Sequence, residues 1–141
     1  MNTFSICPNL KTENGIEIYE NESYMGLGFS YSNYITRSEY EKTYKDKNAA
    51  ELMLNTLIVE DDDEAFVKDV LTHGKAQEEA TGRLGFDSFK ATSYGFSATI
   101  TAEKDEIIFV SVPYESEGRT AEINGEGVEF IKANIGITLL L

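Results

Sequence analysis

The residues of this sequence best suited to chemistry are its acids and its tyrosines. The 141-residue chain carries 25 Asp and Glu against 12 Lys and Arg, with 8 Tyr, 1 His, 1 Cys and no Trp. Two carboxyl groups about 5 to 10 Å apart, one of them with a raised pKa, would suit glycoside hydrolysis. Apart from Glu60 and Glu129, which border apolar strands, no acid stands in an apolar run that would raise its pKa. The run Asp61-Asp62-Asp63-Glu64 offers oxygen ligands to a hard cation such as calcium. It lacks the alternating ligand spacing and central Gly of an EF-hand loop. The same acids in the first turn of a helix complement its dipole, and that reading needs no ligand.

Nucleophile chemistry has no motif to rest on. Neither a G-x-S-x-G elbow nor an S-x-x-K set is present. Gly26-Leu27-Gly28 is not continued as G-x-G-x-x-G or as a Walker sequence, and it reads as a strand with glycines at a bulge. His73 and Cys7 are each the single residue of their type, so neither an internal disulfide nor a His/Cys zinc site of the usual kind can form. His73 reads as a surface residue at a helix end. No catalytic residue, metal-ligand set or cofactor motif is expected.

Four tyrosines remain as a ligand-binding set. Tyr31, Tyr34, Tyr94 and Tyr114 lie beside expected turns or strand ends. A tyrosine ring can stack on a sugar face while its hydroxyl satisfies a polar rim. The same amphipathic ring also straddles core and surface in any globular domain, which is the simpler reading.

The formal net charge of -13 selects against whole classes of partner. Nucleic acid requires clustered Lys and Arg to neutralise phosphate, and an anionic membrane surface requires the same. A polyanionic ligand would need bridging cations. The start, Met1-Asn2-Thr3-Phe4, has neither the basic nor the apolar region of a signal peptide. No apolar run approaches the roughly 20 residues of a membrane-spanning helix.

The elements that must position these residues fall into three parts. Residues 1 to about 36 read as strands and turns, with Asn14-Gly15 a turn and the aromatic residues Phe29, Tyr31 and Tyr34 on strands. Residues 37 to 81 read as helical. Ser38-Glu39-Tyr40-Glu41 fits a capping box, Asp46 can cap the next segment, and Ala49, Ala50, Leu52, Met53 and Leu57 form an apolar stripe. Phe66, Val67, Val70 and Leu71 follow the acid run at helical spacing, Gly74 is a natural C-cap, and Lys75 to Thr81 could add a polar turn.

From about 84 onwards the chain reads as β. Phe96, Ala98, Ile100 and Ala102 alternate with polar residues, and Ile107 to Val112 is apolar almost throughout, as a strand covered on both faces would be. Asn124-Gly125 is the strongest turn signal, joining Ala121–Ile123 to Val128–Phe130 with Ile123, Val128 and Phe130 inward. Ile135 to Leu141 is a further strand. It stops on three leucines, as an excised fragment would. The expected architecture is one α+β domain over 1–141. Its antiparallel sheets are expected to be packed like a β-sandwich or jelly roll, with a helical insertion at about 37–81.

Several blocks of this sequence resemble the YfhO family of bacterial membrane proteins. They are Tyr19-Glu20-Asn21, then Met25-Gly26-Leu27-Gly28-Phe29-Ser30-Tyr31, then Tyr34-Ile35-Thr36. The helix Ala49 to Leu54 and Leu57-Ile58-Val59-Glu60-Asp61 fit the next block. Ser111-Val112-Pro113-Tyr114, Gly118, Ile123-Asn124-Gly125 and Lys132-Ala133-Asn134-Ile135-Gly136 fit the last and most specific one. The chain departs from the family pattern where Arg119 replaces a Trp and where Gly26 replaces a Pro. The resemblance implies the soluble extracytoplasmic region of a polytopic protein similar to glycosyltransferases of the C superfamily. It implies as partners the membrane-embedded part of the same protein and a cell-wall glycan or polymer, at the outer face of the bacterial cell membrane. The family's catalytic acid has no counterpart here, so the resemblance implies a non-catalytic accessory region. A free-standing carbohydrate-binding or adhesion module is the other function consistent with the tyrosines.

Overall fold

The computed structural model describes residues 9–19, 26–45, 49–76 and 84–140. Cys7, the Asp46 cap, Met25, Leu141 and the turn expected over 77–81 lie outside them. Asn14-Gly15 closes a hairpin of β1 (Asn9–Glu13) and β2 (Ile16–Tyr19), as its composition requires. β3 (Gly28–Ser30) and β4 (Asn33–Thr36) follow.

Helix α1 (Arg37–Thr43) begins two residues earlier than Ser38 would allow. Thr36 is the N-cap: its hydroxyl accepts from the Glu39 amide, and the Glu39 carboxylate accepts from the Thr36 amide. Ser38 instead donates to Asp61, 2.9 Å away. Arg37–Glu41 and Glu41–Lys45 pairs brace the helix one turn apart. α2 (Ala49–Asn55) is built from strong helix formers.

The expected continuous helical middle is interrupted here. Leu57–Val59 forms β5, a fully buried strand, because three consecutive apolar residues find cover on both faces of a sheet. The acid run makes a 3₁₀ turn (Asp61–Asp63) leading into α3 (Glu64–Val67). Thr72–His73, expected to end a helix, is a short strand, β6. The middle segment is therefore woven into the sheet rather than inserted beside it.

The remaining strands are β7 (Ser88–Thr92), β8 (Gly95–Thr99), β9 (Ile108–Pro113), β10 (Ala121–Ile123), β11 (Glu126–Val128), β12 (Phe130–Ala133) and β13 (Ile137–Leu140). Seven strands form one mixed sheet in the order β3-β9-β13-β12-β5-β4-β6, and three hairpins, β1-β2, β7-β8 and β10-β11, form separate two-stranded ribbons. The α+β class holds. Two facing antiparallel sheets are not seen among the described residues: β4 runs parallel to both β5 and β6, and the other strands leave the sheet as ribbons.

Strand alternation divides the helices between the faces of the parallel part. Tyr34, Leu57 and Val59 share one core with Val67 and Leu71 around α3. Ile35 and Ile58, pointing the other way, share a second with Tyr40 of α1 and Leu52 of α2. The first core continues under the antiparallel part through Phe29, Tyr31, Phe109 and Ile131.

A single Asn joins the two parts of the sheet. β12 meets β5 at one residue pair, Ala133 with Val59. Buried Asn134 extends that pairing: its amide donates to the Ile58 carbonyl, and its side-chain oxygen accepts from the Ile58 amide. Its side-chain nitrogen donates to the Tyr31 hydroxyl at 3.0 Å. The Asn124-Gly125 hairpin is present, with both residues at positive φ. Its second strand is Glu126–Val128, so the turn is the two-residue kind, and Phe130 belongs to β12. Ile123, expected inward, is exposed because this ribbon is hydrogen-bonded only to itself among the described residues.

Candidate functional site

The carboxyl ends of parallel strands are where open α/β sheets usually carry function, and here they gather a polar cluster. β4 ends at Thr36 and leads to Glu39, β5 leads to Asp61 and Glu64, and β6 ends at His73. His73 Nε2 lies 2.8 Å from Glu39 Oε2, and the Tyr34 hydroxyl donates to Glu64 Oε1 at 2.9 Å. The Tyr34 and His73 rings pack with centroids 5.2 Å apart.

The contacts that assemble this cluster shift the pKa values of its members. The hydrogen bond that His73 makes to the Glu39 carboxylate raises the His73 pKa, against partial burial, which shifts its balance towards the imidazolium. Partial burial works against the Glu39 carboxylate, but hydrogen bonds from the Thr36 amide and His73 hold its pKa below the ordinary range. Burial and then the Glu64 hydrogen bond push the Tyr34 phenol up to about 12, which fixes it as a donor. Asp61 is lowered chiefly by its bond from Ser38. Asp63 is raised by partial burial and by Asp62 and Glu60. No group of three metal-ligating side chains gathers among the described residues.

A second feature lies on the β7–β8 ribbon. Cross-strand pairs Phe89–Ala98 and Ala91–Phe96 place apolar side chains on one face. Phe89 and Phe96 stack at 5.3 Å and 25°, and Phe86 lies 6.4 Å from each. Phe89 and Phe96 remain 44% and 37% exposed. Phe86 lies over Gly28 of β3, where an added Cβ would fall inside its ring. Hydroxyls lie on the other face of the ribbon, where the paired Ser88 and Thr99 are 2.7 Å apart, and beyond the ends of the strands Thr101 donates to Asp87 at 2.8 Å.

Comparison with protein-family models, curated proteins and solved structures finds no match.

The four expected tyrosines are scattered. Tyr31 and Tyr34 are buried, 4% and 2% exposed, and their hydroxyls are engaged by Met53 and Asn134 and by Glu64. Their rings are covered by the core, so they cannot stack on a ligand. Tyr114 is half-buried against Phe130, 6.0 Å away. Tyr94 is fully exposed at the tip of the β7–β8 ribbon. The exposed rings beside it, Phe89 and Phe96, were not anticipated. The signal for them was the density of phenylalanine between 86 and 96, with alternation on both strands of a hairpin.

Proposed function

We propose that this chain is a non-catalytic binding domain that takes a neutral saccharide on the aromatic face of its β7–β8 ribbon. The observation that carries this reading is the exposed Phe89–Phe96 stack on the apolar face of the ribbon. A sugar ring has an apolar C–H face, and an exposed aromatic face complements it. An apolar face left open on a two-stranded ribbon also calls for cover, since such ribbons are marginal alone in water. The net charge of -13 favours a neutral glycan over a polyanionic one.

The resemblance to the YfhO family supplies the setting of this proposal. There the domain would serve as an extracytoplasmic accessory region of a glycosyltransferase-like membrane protein, holding acceptor glycan near the membrane-embedded part. The same ribbon would equally serve a free-standing carbohydrate-binding module. The open reading frame separates the two settings: membrane spans encoded upstream support the first, and their absence supports the second.

Titration with neutral oligosaccharides, followed by amide and Tyr94 ring chemical shifts, tests the binding itself. Shifts confined to residues 86–101, saturating at millimolar ligand or below, are expected, which corresponds to about -4 kcal/mol or better. The Phe89→Ala/Phe96→Ala double variant should lose them. Shifts that persist in that variant, or none in the wild type at millimolar ligand, would overturn the reading.

A further inference from the structure

The polar cluster acts on the edge of the sheet. β6 is two residues long and pairs in parallel with β4, with backbone hydrogen bonds that include Thr72 to the Ser32 carbonyl at 2.9 Å and Gly74 to the Tyr34 carbonyl at 2.8 Å. Leu71 anchors its start in the core, and beyond Gly74 the Ala76 amide donates to the Thr56 hydroxyl. Between these anchors the His73 side chain ties the strand to α1 through Glu39. Such a short edge strand has little of its own to resist opening.

Among the described residues, the carboxylates acting on His73 favour its charged form, and partial burial opposes them. Glu39 meets it from α1, the Tyr34 ring packs on it from β4, and Glu64 lies behind Tyr34 at the head of α3. Asp69, beyond α3, adds negative charge around Tyr34. An imidazolium is attracted by the Glu39 and Glu64 carboxylates and by the ring face; a neutral imidazole keeps only its hydrogen bond.

We propose that His73 and Glu39 form a proton-operated latch on β6: the imidazolium holds the edge strand to the head of α1, and loss of its proton lets β6 part from β4. The released edge of β4 then presents the Ser32 and Tyr34 carbonyls as free acceptors. The raised pKa of His73 sets the sense of the switch. The latch is fully closed below the ordinary histidine pKa and loosens as pH rises through the raised value. Glu39 stays ionised throughout that interval because its own pKa is lowered. His73 is the one histidine in the chain, so no second imidazole contributes in this window.

Native-state hydrogen exchange reads the latch directly. Protection factors at the Thr72 and Gly74 amides, compared at pH 5.5 and 8.5, should fall about threefold to fivefold, the range available to a half-exposed ion pair. Amides of β9 should stay level. In His73→Gln the side chain can still donate to Glu39 but cannot titrate, and the pH effect should vanish. Should that variant fail to fold, Glu39→Gln gives the same test, with the His73 ring resonances titrating near the ordinary value. Equal wild-type protection at the two pH values would overturn the proposal, as would an undiminished fall in His73→Gln or Glu39→Gln.

Discussion

Gly28→Ala should cost stability through one side chain, Phe86. The Gly28 backbone is not in the left-handed region, so an alanine meets no backbone strain there. The new methyl would instead sit 2.6 Å from Phe86 Cε1 and closer still to Cζ and Cε2. The ring must swing away, and with it goes the contact that seats the β7–β8 ribbon on β3. Phe86 is half-buried. Exposing on the order of 100 Å² of ring at about 25 cal/mol per Å² amounts to about 2.5 kcal/mol. Removing the glycine's conformational freedom returns a few tenths, at most about 1 kcal/mol. The net loss should be about 1.5 kcal/mol in urea or guanidinium unfolding. The decisive measurement is the cycle with Phe86→Ala. In that background the methyl has no ring to meet, and Gly28→Ala should be neutral or slightly stabilising. An equal cost in both backgrounds would show that Phe86 is not what excludes a side chain at position 28.

Three further outcomes follow from particular contacts. Asn134→Gly keeps the positive φ while removing the acceptor for the buried Ile58 amide and the donor to Tyr31; equilibrium unfolding should show a loss of about 2 to 3 kcal/mol. Gly125→Val places a β-branched residue at φ 83° and should lower the thermal midpoint by an amount equivalent to about 1 kcal/mol or more, with little effect on the main sheet. Tyr34 carries a folded-state pKa of about 12 against an ordinary 10.0, so its contribution is intact below about pH 10 and is lost as pH rises towards 12. Thermal melts of wild type and Tyr34→Phe should therefore converge above pH 10, and a gap that stays constant would contradict the assignment.

The hairpins were readable because Asn-Gly has few alternatives: both dipeptides close two-residue turns with positive φ. β9 was readable from its apolar run, broken only at Ser111. The middle was misread for a specific reason. Leu57 lies four residues after Met53, so it extends a helical stripe as well as it starts a strand, and three apolar residues are too few for periodicity to decide. Only the pairing of β5 with β4 and β12 settles it. The cap slid from Ser38 to Thr36 because both have a glutamate three residues on, and the residue at the strand end wins. Tyr31 and Tyr34 were candidate ligand contacts because burial is a property of the assembled sheet. Likewise alternation in β7 and β8 announces an apolar face but does not say whether anything covers it. The Glu39–His73 contact spans 34 residues and is created by the parallel pairing of β4 with β6, which no local pattern encodes.

The place of β13 bears on how the chain is assembled. It is the last described strand in sequence, yet it lies between β9 and β12. A nascent chain can pair β4, β5 and β6, and dock α1, α2 and α3 on them, once residue 73 has cleared the ribosome. The β3–β9 pair can form separately after residue 113. Until residue 140 emerges these are two pieces, each with an open strand facing the gap, and open strands recruit whatever strand is nearest. Pausing of translation between 113 and 140, or loss of the last strand by proteolysis, would expose both at once. The interval in which this protein is most prone to mispairing is therefore the synthesis of residues 114–140, about one to five seconds at ordinary elongation rates.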